Sequence, residues 1–139
     1  MGKFKIPTDL KSVAIEWPVA NSGEYVANIR AAEFDTSKKG NPMMVLDLHP
    51  AEPIPCMSGD AQVQATPGDK HSLWKFYVTL TAEAAISLKM LEQALEQSWS
   101  EGQEIDTLDI IGKRVKVMVS VKTNDKGKKF NQVETLSKI

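Results

Sequence analysis

The chain has 139 residues, 42% of them apolar and 25% charged, with a formal net charge of −1. That is enough for one substantial core and too little for two ordinary ones, and the composition is globular and not disordered. The single cysteine, Cys56, excludes an internal disulfide framework. No apolar run reaches the ~20 residues of a membrane helix, and the lysine-dotted start lacks a signal peptide's apolar core, so a cytoplasmic protein without membrane association is expected.

Residues 1–22 read as an N-terminal arm, in which Lys3 and Lys5 alternate with Phe4 and Ile6 before Pro7, Trp17-Pro18 and Asn21-Ser22 interrupt. A short strand is expected over Val13 to Trp17, with Trp17 covering the core edge and ligand stacking as its second possible role. Residues 23–139 form the folded domain. Its first strand, Tyr25 to Phe34, alternates: Tyr25, Ala27, Ile29 and Ala31 share one face, and Val26, Asn28, Arg30, Ala32 and Phe34 the other. Ser37-Lys38-Lys39-Gly40-Asn41-Pro42 breaks the pattern as a basic turn. Met43 to Leu48 resumes it, with Met44, Leu46 and Leu48 inward.

Four prolines (Pro50, Pro53, Pro55, Pro67) and two glycines predict a long loop over 50–70, broken only by an extended piece at Ala61 to Ala65. His49, Cys56 and His71 flank or lie in it, but their spacing matches no zinc pattern and a fourth ligand is missing, so no metal is expected. Leu73 to Leu80 is the strongest strand signal, with Trp74, Phe76 and Val78 on one face and Lys75, Tyr77 and Thr79 on the other. Thr81 to Trp99 reads as the one helix, burying Ala84, Leu88, Leu91 and Leu95, with Thr79 or Thr81 as cap. Arg114 to Lys122 alternates strictly, Asn124-Asp125-Lys126-Gly127-Lys128-Lys129 turns, and Phe130 to Leu136 returns.

Charge is segregated along the chain. From Gly112 onward there are eight basic residues and two acidic ones, whereas Thr81 to Ile111 holds seven acids and only Lys89. One face of a nearly neutral molecule could therefore be basic, with the acidic helix lying away from it.

Three strands, a helix and two strands give the connectivity of a mainly β, five-stranded OB-fold barrel with one α-helix between strands 3 and 4. The sequence also resembles bacteriophage-encoded single-stranded DNA-binding proteins of OB-fold type, over roughly residues 20 to 136. The resemblance is carried by Gly23-Glu24-Tyr25, the KKGNPMMVLDL stretch, the helix after the third strand, and Asp109-Ile110-Ile111-Gly112-Lys113-Arg114-Val115 before the lysine-rich hairpin. It implies a non-catalytic protein of the host cytoplasm that coats single-stranded DNA during phage replication or recombination, with replication or recombination proteins as further partners. Many such proteins end in an acidic tail; the terminal Leu136-Ser137-Lys138-Ile139 departs from that pattern.

On this reading Arg30, Lys38, Lys39, Lys75, Arg114, Lys116, Lys122, Lys126, Lys128 and Lys129 supply phosphate contacts, and Phe34, Tyr77, Phe130 and Trp74 stack on bases. Trp74 is the weakest of these, because alternation places it with Phe76. About five neutralised phosphates would give a single-strand salt slope near −3.5. The alternative is an OB-type module that binds a protein or a sugar, which predicts lysines scattered over the surface instead of converging. An enzyme ranks third: the chain shows no glycine-rich phosphate loop, metal-ligand cluster or nucleophile motif, and no cofactor is expected.

Overall fold

A computed structural model describes residues 2–7 and 17–139. Among these described residues eight strands and one α-helix follow in order: β1 (Val19–Ala20), β2 (Gly23–Thr36), β3 (Pro42–Pro50), β4 (Ile54–Ser58), β5 (Ala61–Ala65), β6 (Trp74–Thr79), α1 (Ile86–Ala94), β7 (Arg114–Thr123) and β8 (Lys129–Ser137). They form two antiparallel sheets, one of order β6-β3-β2-β7-β8 and one of order β1-β4-β5. The strand expected over Val13 to Trp17 lies outside the described residues except for Trp17, which is not in a strand.

Strand β2 organises the larger sheet. Gly23 to Asn28 pairs with β7, and Ala27 to Thr36 pairs with β3, so the two halves serve different neighbours. Between them lies a bulge at Arg30: Ile29 faces Leu48 and Ala31 faces Asp47, leaving Arg30 without a partner position. A bulge bends its strand and shifts the alternation by one residue. The face expected from strict alternation is therefore corrected beyond Ile29, where Ala32, not Ala31, packs against the core.

The alternation elsewhere follows the sequence. Met44, Leu46 and Leu48 of β3, Trp74, Phe76 and Val78 of β6, and Val115, Val117 and Val119 of β7 are buried around Ile29 and Leu91. Each fully buried Val, Leu or Ile side chain contributes about 1.5–3 kcal/mol.

The five-stranded barrel expected from the sequence does not close, since among the described residues no ladder joins the edge strands β6 and β8. A side chain spans the gap instead. Asn131 of β8 accepts a hydrogen bond from Trp74 Nε1 of β6 at 3.1 Å, and its amide also bonds both backbone groups of Ala20 in β1. The short β1 thus lies at the place a closing ladder would occupy.

The long loop expected over 50–70 is a hairpin. Strands β4 and β5 pair from Ile54↔Ala65 to Ser58↔Ala61 around a two-residue Gly59-Asp60 loop, and β1 adds to β4 through Val19↔Met57 and Ala20↔Cys56. Pro55 is tolerated because it lies outside the two-residue ladder with β1. The connection from β5 to β6 is pinned to the larger sheet. Buried His49 accepts the Leu73 N–H on Nδ1 at 3.0 Å and holds Thr66 O through Nε2 at 2.5 Å, which fixes the Nε2–H tautomer.

The helix is shorter than its apolar periodicity predicts. Ala82–Ala84 is a 3-10 turn, Ala84 is exposed, and neither Thr79 nor Thr81 caps α1 through its side chain. Leu91 and Ala94 are the buried residues. The helix ends because Glu96 takes φ 55°, with its N–H on Gln93 O and the Gln97 N–H on Glu92 O, the paired bonds of a Schellman motif.

Candidate nucleic-acid interface

The turn between β7 and β8 is built to present lysines. Asn124 Oδ1 accepts the backbone N–H groups of Lys126 and Lys128 at 2.9 and 3.0 Å, and the Asn124 backbone bonds Lys128 O and Gly127 N. Gly127 sits at φ 79°, where a side chain would strain the turn. With the backbone so occupied, Lys126, Lys128 and Lys129 project into solvent, and among the described residues none of them has an ion pair. Phe130 follows, opposite Lys122 and 44% exposed.

These residues form one wall of a groove of about 870 Å³. The facing wall comes from the smaller sheet and the segment leading into it: Trp17, Met57 and Asp60. Trp17 is 57% exposed but held, since Nε1 donates to Leu73 O at 3.3 Å and the ring lies 6.0 Å from that of His71. A rigid indole and a phenyl ring beside three unpaired ammonium groups can stack bases and bind phosphates at the same time.

The other expected contacts do not converge on this groove. Lys38 and Lys39 occupy the turn between β2 and β3, at the opposite end of β2 from Gly23, where β7 approaches its own turn. A strand of fourteen residues rises about 45 Å when straight. Phe34, 68% exposed, lies near that far end between Glu33 and Asp35.

On the solvent-facing side of the larger sheet the cations are mostly matched by acids. Lys75 lies 3.8 Å from Asp47, Lys116 3.0 Å from Glu24, and Lys122 3.5 Å from Glu134. The Ser120 hydroxyl, 2.6 Å away, and then Lys122 hold the Glu134 carboxyl below its usual range. Tyr77 is exposed, opposite Val45, whose other neighbour is Glu33. Arg114 is exposed and, among the described residues, free of ion pairs, but lies on β7 away from its turn.

Two expected contacts are spent on the fold. Arg30 donates from Nη2 to Asp69 O at 2.6 Å, and its Nη1 is buried without a hydrogen-bond partner. Trp74 is only 3% exposed, with its ring 5.4 Å from that of Tyr25, so no base can stack on it.

Trp17, Met57 and Asp60 are the groove residues that the sequence reading did not bring together. The signal for the second wall was Gly59-Asp60, a two-residue hairpin loop between short runs that can pair. The prolines masked it. A second cavity of about 590 Å³ beside the end of α1 is lined by Leu95, Trp99 and Ile110 together with two acids, Glu104 and Asp109, and one base, Lys113.

None of the curated proteins matches the chain. Residues 8–138 match the family described as "Protein of unknown function (DUF669)", and the chain belongs to that family.

Proposed function

We propose that this protein binds single-stranded nucleic acid, single-stranded DNA first of all, without catalysis and with little sequence preference, in the service of DNA replication or recombination. The observation that carries the reading is the groove in which unpaired Lys126, Lys128 and Lys129 stand beside Phe130 and across from Trp17. Phosphates follow the lysine wall and bases stack on the rings, at about 1–3 kcal/mol per stacked base. The order β6-β3-β2-β7-β8, with α1 between β6 and β7, the third and fourth strands of this sheet in chain order, supports an OB-like arrangement, opened where Asn131 and β1 replace the closing ladder. In that arrangement the groove lies at the loop between the last two strands, one of the loops OB-folds use for oligonucleotides.

Titration of a labelled single-stranded oligonucleotide and its duplex, each at two salt concentrations, tests the reading. Three phosphate contacts give a single-strand slope of log affinity against log salt of about −2, shallower than the roughly −3.5 of five. Equal affinity for duplex and single strand, or affinity independent of salt, contradicts it. The second reading, a protein- or sugar-binding module, is favoured by the acid-paired cations of the larger sheet and by the separation of its two lysine turns.

A further inference from the structure

We infer that Asp60 reads the hydrogen-bonding edge of a base in the groove and gives the site a preference for guanine over thymine at one position. This rests on the single-strand reading and deepens it. Asp60 is the second residue of the Gly59-Asp60 loop and lines the groove together with the three lysines of the β7–β8 turn. Among the described residues its carboxylate has no ion pair and no hydrogen bond, so its acceptor capacity is unspent.

An ionised carboxylate has two oxygens, accepts only, and repels phosphate. A strand in this groove therefore runs its backbone along the lysines and turns its base edges toward Asp60. Rings stacked on Trp17 and Phe130 keep those edges in the plane between the two walls.

Bases unpaired in a single strand expose their Watson–Crick edges to such a group. Guanine offers N1–H and the N2 amino group side by side, two parallel donors that match two carboxylate oxygens as a guanidinium does. Cytosine and adenine offer one amino group each. Thymine offers N3–H flanked by two carbonyl oxygens, both repelled by the carboxylate. The preference thus decreases from guanine through cytosine and adenine to thymine, and it is superimposed on general binding that the lysines and rings supply.

The test is fluorescence anisotropy with a labelled twelve-residue oligothymidine and the same oligonucleotide carrying one central deoxyguanosine or one central deoxyinosine. The wild-type chain is expected to bind the guanine-containing strand about fivefold more tightly than oligothymidine, the low end for a bidentate contact because the groove is open to water. Deoxyinosine, which lacks the N2 amino group, falls between them. Asp60→Ala removes the difference and tightens binding of oligothymidine, because a charge that repels phosphate is gone. Asp60 is exposed on a turn, and an unchanged melting temperature shows that the variant is folded.

Equal binding of the three strands by the wild type, or a guanine preference that persists in Asp60→Ala, overturns the role of Asp60 while leaving single-strand binding intact. Absence of binding to any of the strands overturns the single-strand reading, and the base preference with it.

Discussion

Asn131 treats Ala20 as a neighbouring strand would: its Oδ1 accepts the Ala20 N–H at 2.8 Å and its Nδ2 donates to the Ala20 carbonyl at 2.9 Å. The same Oδ1 accepts from Trp74 Nε1. One side chain therefore joins β8 to both β1 and β6 at the opening of the larger sheet. Asn131→Ala leaves the Ala20 N–H and the indole N–H without partners in a largely buried place. Each such orphan costs about 1–3 kcal/mol, so a loss of about 2–6 kcal/mol is expected in urea unfolding. Oligonucleotide affinity is expected to fall as well, because β1 and Trp17 belong to the facing wall of the groove. Unchanged stability would show that the bridge is not made.

Glu96 closes α1 in a conformation that suits glycine. At φ 55° its Cβ crowds the backbone, and its ion pair with Lys138 joins two exposed side chains 3.8 Å apart. Glu96→Gly removes the crowding, offset in part by the greater freedom of glycine in the unfolded chain. A net gain of about 0.5–1 kcal/mol is expected, read as a higher urea midpoint with an unchanged slope.

Acid should weaken the fold through three carboxylates. The backbone N–H and then the hydroxyl of Thr66 hold Asp69 below its usual range, the Trp99 N–H does so for Glu92, and the Ser120 hydroxyl for Glu134. Each folded-state value lies below the unfolded one. The stability these groups contribute is therefore fully present above about pH 5 and is lost as pH falls through about 4 toward the lower folded values. Urea midpoints measured between pH 6 and pH 3 should fall in the wild type. They should fall less steeply in the triple variant Asp69→Asn, Glu92→Gln, Glu134→Gln.

Local periodicity made much of the larger sheet legible in the sequence. Val115, Val117 and Val119 alternate without interruption, and so do Trp74, Phe76 and Val78; both sets are buried as alternation requires. What was not legible depended on partners distant in sequence or on a local ladder that composition masks. The bulge at Arg30 lies in the ladder of β2 with β3, just past the residues of β2 that pair with β7. The hairpin of β4 and β5 was hidden because prolines depress strand signals whether or not a ladder needs their N–H.

The candidate site shows the same division. Lys126, Lys128, Lys129 and Phe130 are neighbours in sequence and stand out together there, whereas Trp17 reaches them through the hold of Asn131 on β1, and Asp60 through the pairing of β4 with β1. Lys75, Lys116 and Lys122 looked as available as the turn lysines until the pairing registers placed acids beside them.

In the proposed complex the lysines of the β7–β8 turn, rather than the sheet face, carry the phosphate contacts. Comparing the salt dependence of oligothymidine binding in the wild type, in Lys126→Ala/Lys128→Ala/Lys129→Ala and in Lys75→Ala/Lys116→Ala/Lys122→Ala tests it most directly. The turn variant is expected to lose nearly all salt dependence, a change in slope of about 2, and the sheet variant to keep the wild-type slope. A slope that survives in the turn variant and vanishes in the sheet variant would contradict it.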